Sequence, residues 1–126
     1  DIREYNVNYN ITEARYDLLS IKYSGHMYTI SNAHNLCYGI TINALTGEQL
    51  KLSDYISDES LTEKLSNGDY SYTTLQNFDK EFAAMKVNEF IHDYSICTNF
   101  YIEEGKINII IPVTGGNSSY IILELN

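Results

Sequence analysis

Asn99-Phe100-Tyr101-Ile102-Glu103-Glu104-Gly105-Lys106-Ile107-Asn108-Ile109-Ile110-Ile111-Pro112-Val113 contains two runs of strand formers around a short polar turn. Asn99 to Ile102 and Lys106 to Val113 are expected as the arms of a hairpin. Glu103-Glu104-Gly105 is its turn, with the glycine where a positive φ is tolerated. Ile107 to Ile111 has few polar interruptions, which predicts a central strand covered on both faces. Such a strand needs neighbours in a sheet and a layer to cover it. Beyond it, Thr114 to Ser119 is a Gly-rich loop and Tyr120 to Leu125 a further strand.

The covering layer lies upstream. Asn77 to Tyr94 is predicted as the main helix, because Ala83, Val87, Phe90, Ile91 and Tyr94 share one face at helical spacing. Lys86, Glu89, His92 and Asp93 fall on the opposite face. Phe78, Phe82 and Met85 lie well off the apolar stripe. The helix is therefore either buried on two sides at its start or made of two segments. A short helix is expected after Ile56, with Ser60 and Glu63 as a capping box or Ser57 as the N-cap. It stops before the turn cluster Asn67-Gly68-Asp69, and Tyr70 to Thr74 is ambiguous but rich in β-formers.

Further upstream the periodicity changes to two. Tyr5, Val7, Tyr9 and Ile11 alternate with Glu4, Asn6, Asn8 and Asn10, which predicts a half-buried strand. Leu19, Ile21 and Tyr23 predict a second strand, with Gly25 as a bulge or bend and Met27 to Ile30 as its continuation. Ser31 to Asn35 is expected as a loop. Leu36 to Asn43 is a third strand with Tyr38, Ile40 and Ile42 on one face. Thr46-Gly47 is a turn, and Leu50-Lys51-Leu52 is a short strand or extended segment. Strands, then helices, then strands predict an α+β domain spanning residues 1–126. Its sheet should be mostly antiparallel, of about five or six strands, with the main helix and the short helix on one face.

Composition bounds the function. The 126 residues include 17 acidic and 8 basic side chains, a formal charge of −9. That balance argues against nucleic acid and anionic lipid, which would be repelled, and suits a cationic protein or a neutral polymer. No run approaches the roughly 20 apolar residues that span a bilayer, so no membrane contact is expected from the domain itself. Asp1 is followed almost at once by a strand pattern, without a basic and apolar leader, which reads as a trimmed chain. The 12 tyrosines fit mainly as half-buried sheet residues, and some suit a binding face. Cys37 and Cys97 read as small buried side chains, with one disulfide as the alternative.

No catalytic set emerges. His26, His34 and His92 lie in different elements and outside any metal-ligand spacing, so neither a metal nor a cofactor is expected. Cys37 is three residues from His34 but in a strand, where the side chains need not converge. Gly115-Gly116-Asn117-Ser118-Ser119 is glycine-rich but leads into a strand, without a helix N-terminus to hold a phosphate. Asn10-Ile11-Thr12 and Asn117-Ser118-Ser119 match the glycosylation pattern. The binding candidates are His34, as the anchor of its loop, and Tyr120 and Asn117 at the late loop.

Several segments taken together resemble a known domain. They are Leu18 to Tyr23, the loop ending in Ala33-His34, Asn43 to Ile56 with Thr46-Gly47-Glu48-Gln49-Leu50-Lys51-Leu52-Ser53-Asp54, and Asn99 to Ile107. The chain resembles the C-terminal domain of unknown function of RsiV-type lysozyme-sensing anti-sigma factors. That domain also accompanies polysaccharide deacetylase domains in Gram-positive envelopes. The resemblance runs from about Tyr5 to Leu125. Ser31-Asn32 stands where the family has a Gly-Gly pair. It implies a non-catalytic, extracytoplasmic binding or accessory domain, secreted or membrane-anchored, whose partner is a cationic protein such as lysozyme or a cell-wall glycan. The rival expectations are an enzyme acting on cell-wall polysaccharide, with His34 as acid or base, and a purely structural domain.

Overall fold

A computed structural model of the chain describes residues 1–74, 79–91, 97–114 and 117–126. It is α+β, with seven strands in two antiparallel sheets rather than one sheet of five or six. The first sheet is a meander of β1 (Ile2–Arg15), β2 (Leu18–Thr29) and β3 (Ala33–Asn43), in that order. Its register pairs Tyr9 with Tyr23 and Tyr23 with Tyr38. Two short helices follow, α1 (Leu52–Tyr55) and α2 (Asp58–Ser66). The second sheet takes β4 (Tyr70–Thr74) and, beyond helix α3 (Lys80–Ile91), β5 (Phe100–Glu103), β6 (Lys106–Val113) and β7 (Ser119–Leu125). Its strand order is β4-β7-β6-β5, so β6 is an inner strand, and Ile107 to Ile111 are all buried.

Local chemistry accounts for the element ends. Glu104 and Gly105 form a two-residue hairpin turn, with φ of 52° and 77°, which matches the right-handed twist of β5 and β6. Ser57 caps α2, its Oγ accepting from the Ser60 amide at 3.2 Å, and Gly68 ends the turn after the helix at φ 71°. Asp79 caps α3, accepting from the Glu81 amide at 3.0 Å. The Leu50–Leu52 segment is only partly extended. Leu50 donates to the Thr41 carbonyl at 2.8 Å, but Leu52 opens α1 because Asp54 reaches back to the Lys51 amide at 3.0 Å.

The core lies between the helices and one face of the second sheet. Leu61 and Leu65 of α2 and Ala83 and Val87 of α3 sit four residues apart on their helices. They pack with Phe100, Ile102, Ile109, Ile111, Ile121 and Leu123. Phe90 and Phe82 are partly buried against this cluster, and Glu89 is exposed, as the stripe requires. Of the predicted helix, residues 77, 78 and 92–94 lie outside the described residues, and so does the Ile91 side chain.

The first sheet departs from its predicted role. The alternation on β1 predicts a half-buried strand, yet Ile2 to Ile11 are exposed on both faces. Helices of 4, 9 and 12 residues pack on one face of the second sheet, and among the described residues nothing buries Ile2 to Ile11 of the first. Gly25 is not a bulge. The register runs through it, and the bulges lie in β1, between Ile2 and Glu4 and between Ile11 and Glu13. A Cβ at position 25 would stand 1.9 Å from the Asn6 carbonyl oxygen, so this glycine admits the backbone of β1 at close approach. Ala33 and His34 belong to β3 and not to a loop, paired with Tyr28 and Met27.

A relay of hydroxyls joins the sheets. The Ile102 amide donates to Ser20 Oγ at 2.7 Å, and Thr41 Oγ1 donates to the Phe100 carbonyl at 3.1 Å. Ser20 Oγ and Thr41 Oγ1 are 2.9 Å apart. With the threonine proton already used on Phe100, the serine must donate to the threonine. Gly39 also donates its amide to Asn99 Oδ1 at 2.8 Å. A Cβ at Gly39 would lie 2.5 Å from the Phe100 carbonyl carbon and oxygen, so β3 meets β5 backbone to backbone.

Candidate functional site: a tyrosine-lined groove on the first sheet

The structure brings two of the three sequence-predicted residues together. Asn117 Oδ1 accepts from the Ala33 amide at 2.8 Å, and His34 Nδ1 accepts from the Ser118 amide at 3.1 Å. The Asn35 amide donates to the Ser118 carbonyl at 2.8 Å. These bonds fasten the end of the β6–β7 loop to the start of β3. Because Nδ1 accepts, the ring proton must sit on Nε2, and protonating Nδ1 would remove the acceptor. Residues 115 and 116 lie outside the described residues.

Tyr120 is in β7, half-buried rather than displayed on the loop. Burial pushes its phenol up, and the neighbouring Cys37 thiol adds to this. Tyr101, almost fully buried, is pushed up much further, by burial first and then by Cys37, Glu103, Tyr120 and Glu124. The Lys22 ammonium lies 5.3 Å from the Tyr101 ring centre. Both cysteines are unpaired, and burial raises each thiol, so neither carries the lowered pKa of a reactive thiolate. Among the described residues, no group of three or more His, Cys, Asp or Glu side chains is placed to hold a metal ion. No described helix is long and apolar enough to cross a membrane.

The feature with the right physical character lies elsewhere. On the outward face of the first sheet, Tyr5 and Val7 of β1, Tyr23 of β2, and Leu36, Tyr38 and Ile40 of β3 line a groove of about 470 Å³. Ser24 and Cys37 complete the lining. Register explains the grouping. Val7 pairs with Gly25 and Gly25 with Leu36, so the position between two apolar side chains carries none. Tyr9 and Ile11 extend the apolar surface along β1, and the Tyr9 and Tyr23 rings are 6.2 Å apart. Tyr5 and Tyr9 are 63% and 65% exposed. Such rings give apolar area with a hydroxyl for orientation and little rotamer entropy to lose, which is how binding faces are built.

A second, polar groove of about 240 Å³ opens on the second sheet among Lys22, Ser71, Thr73, Tyr101, Asn108 and Glu124. The cation in its lining, Lys22, lies over the Tyr101 ring, and Glu124 is paired with Lys106 at 3.2 Å. Neither groove was found by motif. The alternation in β1 carried the signal for the first, but alternation says that one face is apolar and not what covers it. Compared with family models, with curated proteins and with solved structures, the chain finds no match.

Proposed function

We propose that this domain is a non-catalytic binding module of a bacterial cell envelope, secreted or membrane-anchored on the extracytoplasmic side. It recognises a cationic protein of the lysozyme kind, as its resemblance to RsiV-type ectodomains implies. The observation that carries the binding role is the exposed tyrosine-lined groove, an apolar face left open where a folded domain normally buries one. The charge of −9 supports the choice of a cationic partner, since it speeds encounter, while the groove supplies the apolar anchor that charge lacks. A cell-wall glycan is the second reading, favoured by the same tyrosine rings, whose faces suit stacking against sugars.

The test is calorimetric titration with a panel of lysozymes and with soluble cell-wall oligosaccharides, at low and high salt. Binding by the wild type, weakened by salt and lost in Tyr38→Ala, supports the proposal. Binding of every cationic protein alike, or binding untouched by Tyr38→Ala, refutes it.

A further inference from the structure

The first sheet also presents an edge. β1 is 14 residues long and pairs with β2 on one side. Among the described residues, no backbone hydrogen bond reaches its other side. Natural sheets guard such an edge with lysine, proline, a bulge or a short strand. From Tyr5 to Ile11, β1 has none of these. The segment Tyr5-Asn6-Val7-Asn8-Tyr9-Asn10-Ile11 is uncharged and regular, and its bulges fall outside it.

We propose that a second copy of this chain occupies the edge, β1 against β1 in antiparallel register, with a two-fold axis at Asn8. The sequence of the strand selects both the occupant and the register. Antiparallel self-pairing places residues symmetrically about the axis. An axis midway between two residues would set each tyrosine opposite an asparagine and put the two apolar faces on opposite sides of the sheet. An axis on a residue keeps apolar opposite apolar. On Asn8 it pairs Tyr5 with Ile11, Val7 with Tyr9 and Asn6 with Asn10.

Charge then separates the face-matched registers. About Asn8, the Arg3 end of each copy meets the Glu13 end of the other. An axis on Tyr9 would bring Arg3 against Arg15, and one on Val7 would leave Arg3 beside Ile11. The register that matches faces also matches charge, and its centre falls within the regular part of the strand, Glu4 to Ile11. Pairing in this way joins the two meanders into one sheet and makes their tyrosine faces continuous. The edge pairs through backbone groups and the groove offers side chains, Tyr5 and Val7 of β1 among them, so this association does not depend on the identity of the groove's ligand.

The experiment is sedimentation of the whole chain over a range of concentration, with Asn8→Lys and Asn8→Glu beside the wild type. Asn8 is exposed, so both variants should retain the wild-type circular dichroism. The wild type should form a dimer, and each variant, placing like charge opposite like charge at the axis, should dissociate with a Kd about tenfold weaker or more. An equimolar mixture of the two variants should restore a dimer containing one of each. Arg3→Glu should weaken the wild-type dimer by facing Glu13. A wild type monomeric at every concentration would overturn the proposal. So would a dimer indifferent to charge at position 8, and one lost instead in Tyr38→Ala would show that the copies meet through the groove face.

Discussion

Ser20→Ala is the most direct probe of how the two sheets are held. Ser20 and Thr41 are fully buried, and their hydroxyls carry one chain of hydrogen bonds from the Ile102 amide to the Phe100 carbonyl. β5 is the edge strand of the second sheet, so these backbone groups have no partner strand to return to. Removing the serine oxygen strands the Ile102 amide in the interior. A buried donor left without a partner costs about 1–3 kcal/mol. For a domain of this size, 2 kcal/mol corresponds to a fall in Tm of roughly 5–10 °C. Thr41→Val, equal in shape, strands the Phe100 carbonyl and leaves the serine proton without its acceptor, at a similar cost. The double variant should lose less than the sum of the two, because the serine–threonine bond is counted in each single change. Urea unfolding of the four proteins measures all three quantities. A loss under about 0.5 kcal/mol in either single variant, or strict additivity, would refute the relay.

Gly39→Ala should destabilise by about 1–3 kcal/mol or more, since its methyl would lie 2.5 Å from the Phe100 backbone, and urea unfolding reads the loss directly. Stability should fall at alkaline pH. The Tyr101 phenol is raised by burial, so the unfolded chain releases that proton first, near pH ~10, and the folded state loses ground as pH rises above this value. Tyr101→Phe should flatten that decline in urea midpoints measured between neutral and strongly alkaline pH, and an unchanged slope would contradict the assignment. His34→Ala should cost about 1 kcal/mol and speed hydrogen exchange at the Ser118 amide, which loses its acceptor. Cys37 and Cys97 should alkylate more slowly than a free thiol at neutral pH, as their burial demands, and a faster rate at either would count against the structure.

The parts legible in the sequence were those that a local pattern fully specifies. Glu103-Glu104-Gly105 located the hairpin, and the unbroken Ile107–Ile111 run identified an inner strand, because few other placements satisfy those residues. The faces of α3 followed from helical spacing at Ala83, Val87 and Glu89. What local pattern could not convey was the division into two sheets. Tyr5, Val7, Tyr9 and Ile11 give the same alternation whether helices cover them or solvent does. Gly25 looked like a break because a glycine in a strand records a steric demand without naming the neighbour that makes it. His34 was expected to hold its own Ser31–Asn35 loop by hydrogen bonding, but it lies in β3 and meets instead the Ser118 amide at the end of the β6–β7 loop. The pairing of Ser20 with Thr41 across 21 residues, and with Ile102 across 82, left no trace in either neighbourhood.

The strand order β4-β7-β6-β5 also sets a timetable for biosynthesis. β7 lies between β4 and β6, yet it is made after every other element of the domain. The meander of β1 to β3, whose contacts are local, can form while the ribosome is still at work. The second sheet cannot close, and the helices have no finished surface to pack on, until Ser119–Leu125 has emerged. Between the emergence of β6 and that of β7 the nascent chain therefore displays the apolar face of β6, besides the tyrosine face that stays open in the finished fold. That interval is when a holding chaperone would matter most to this domain.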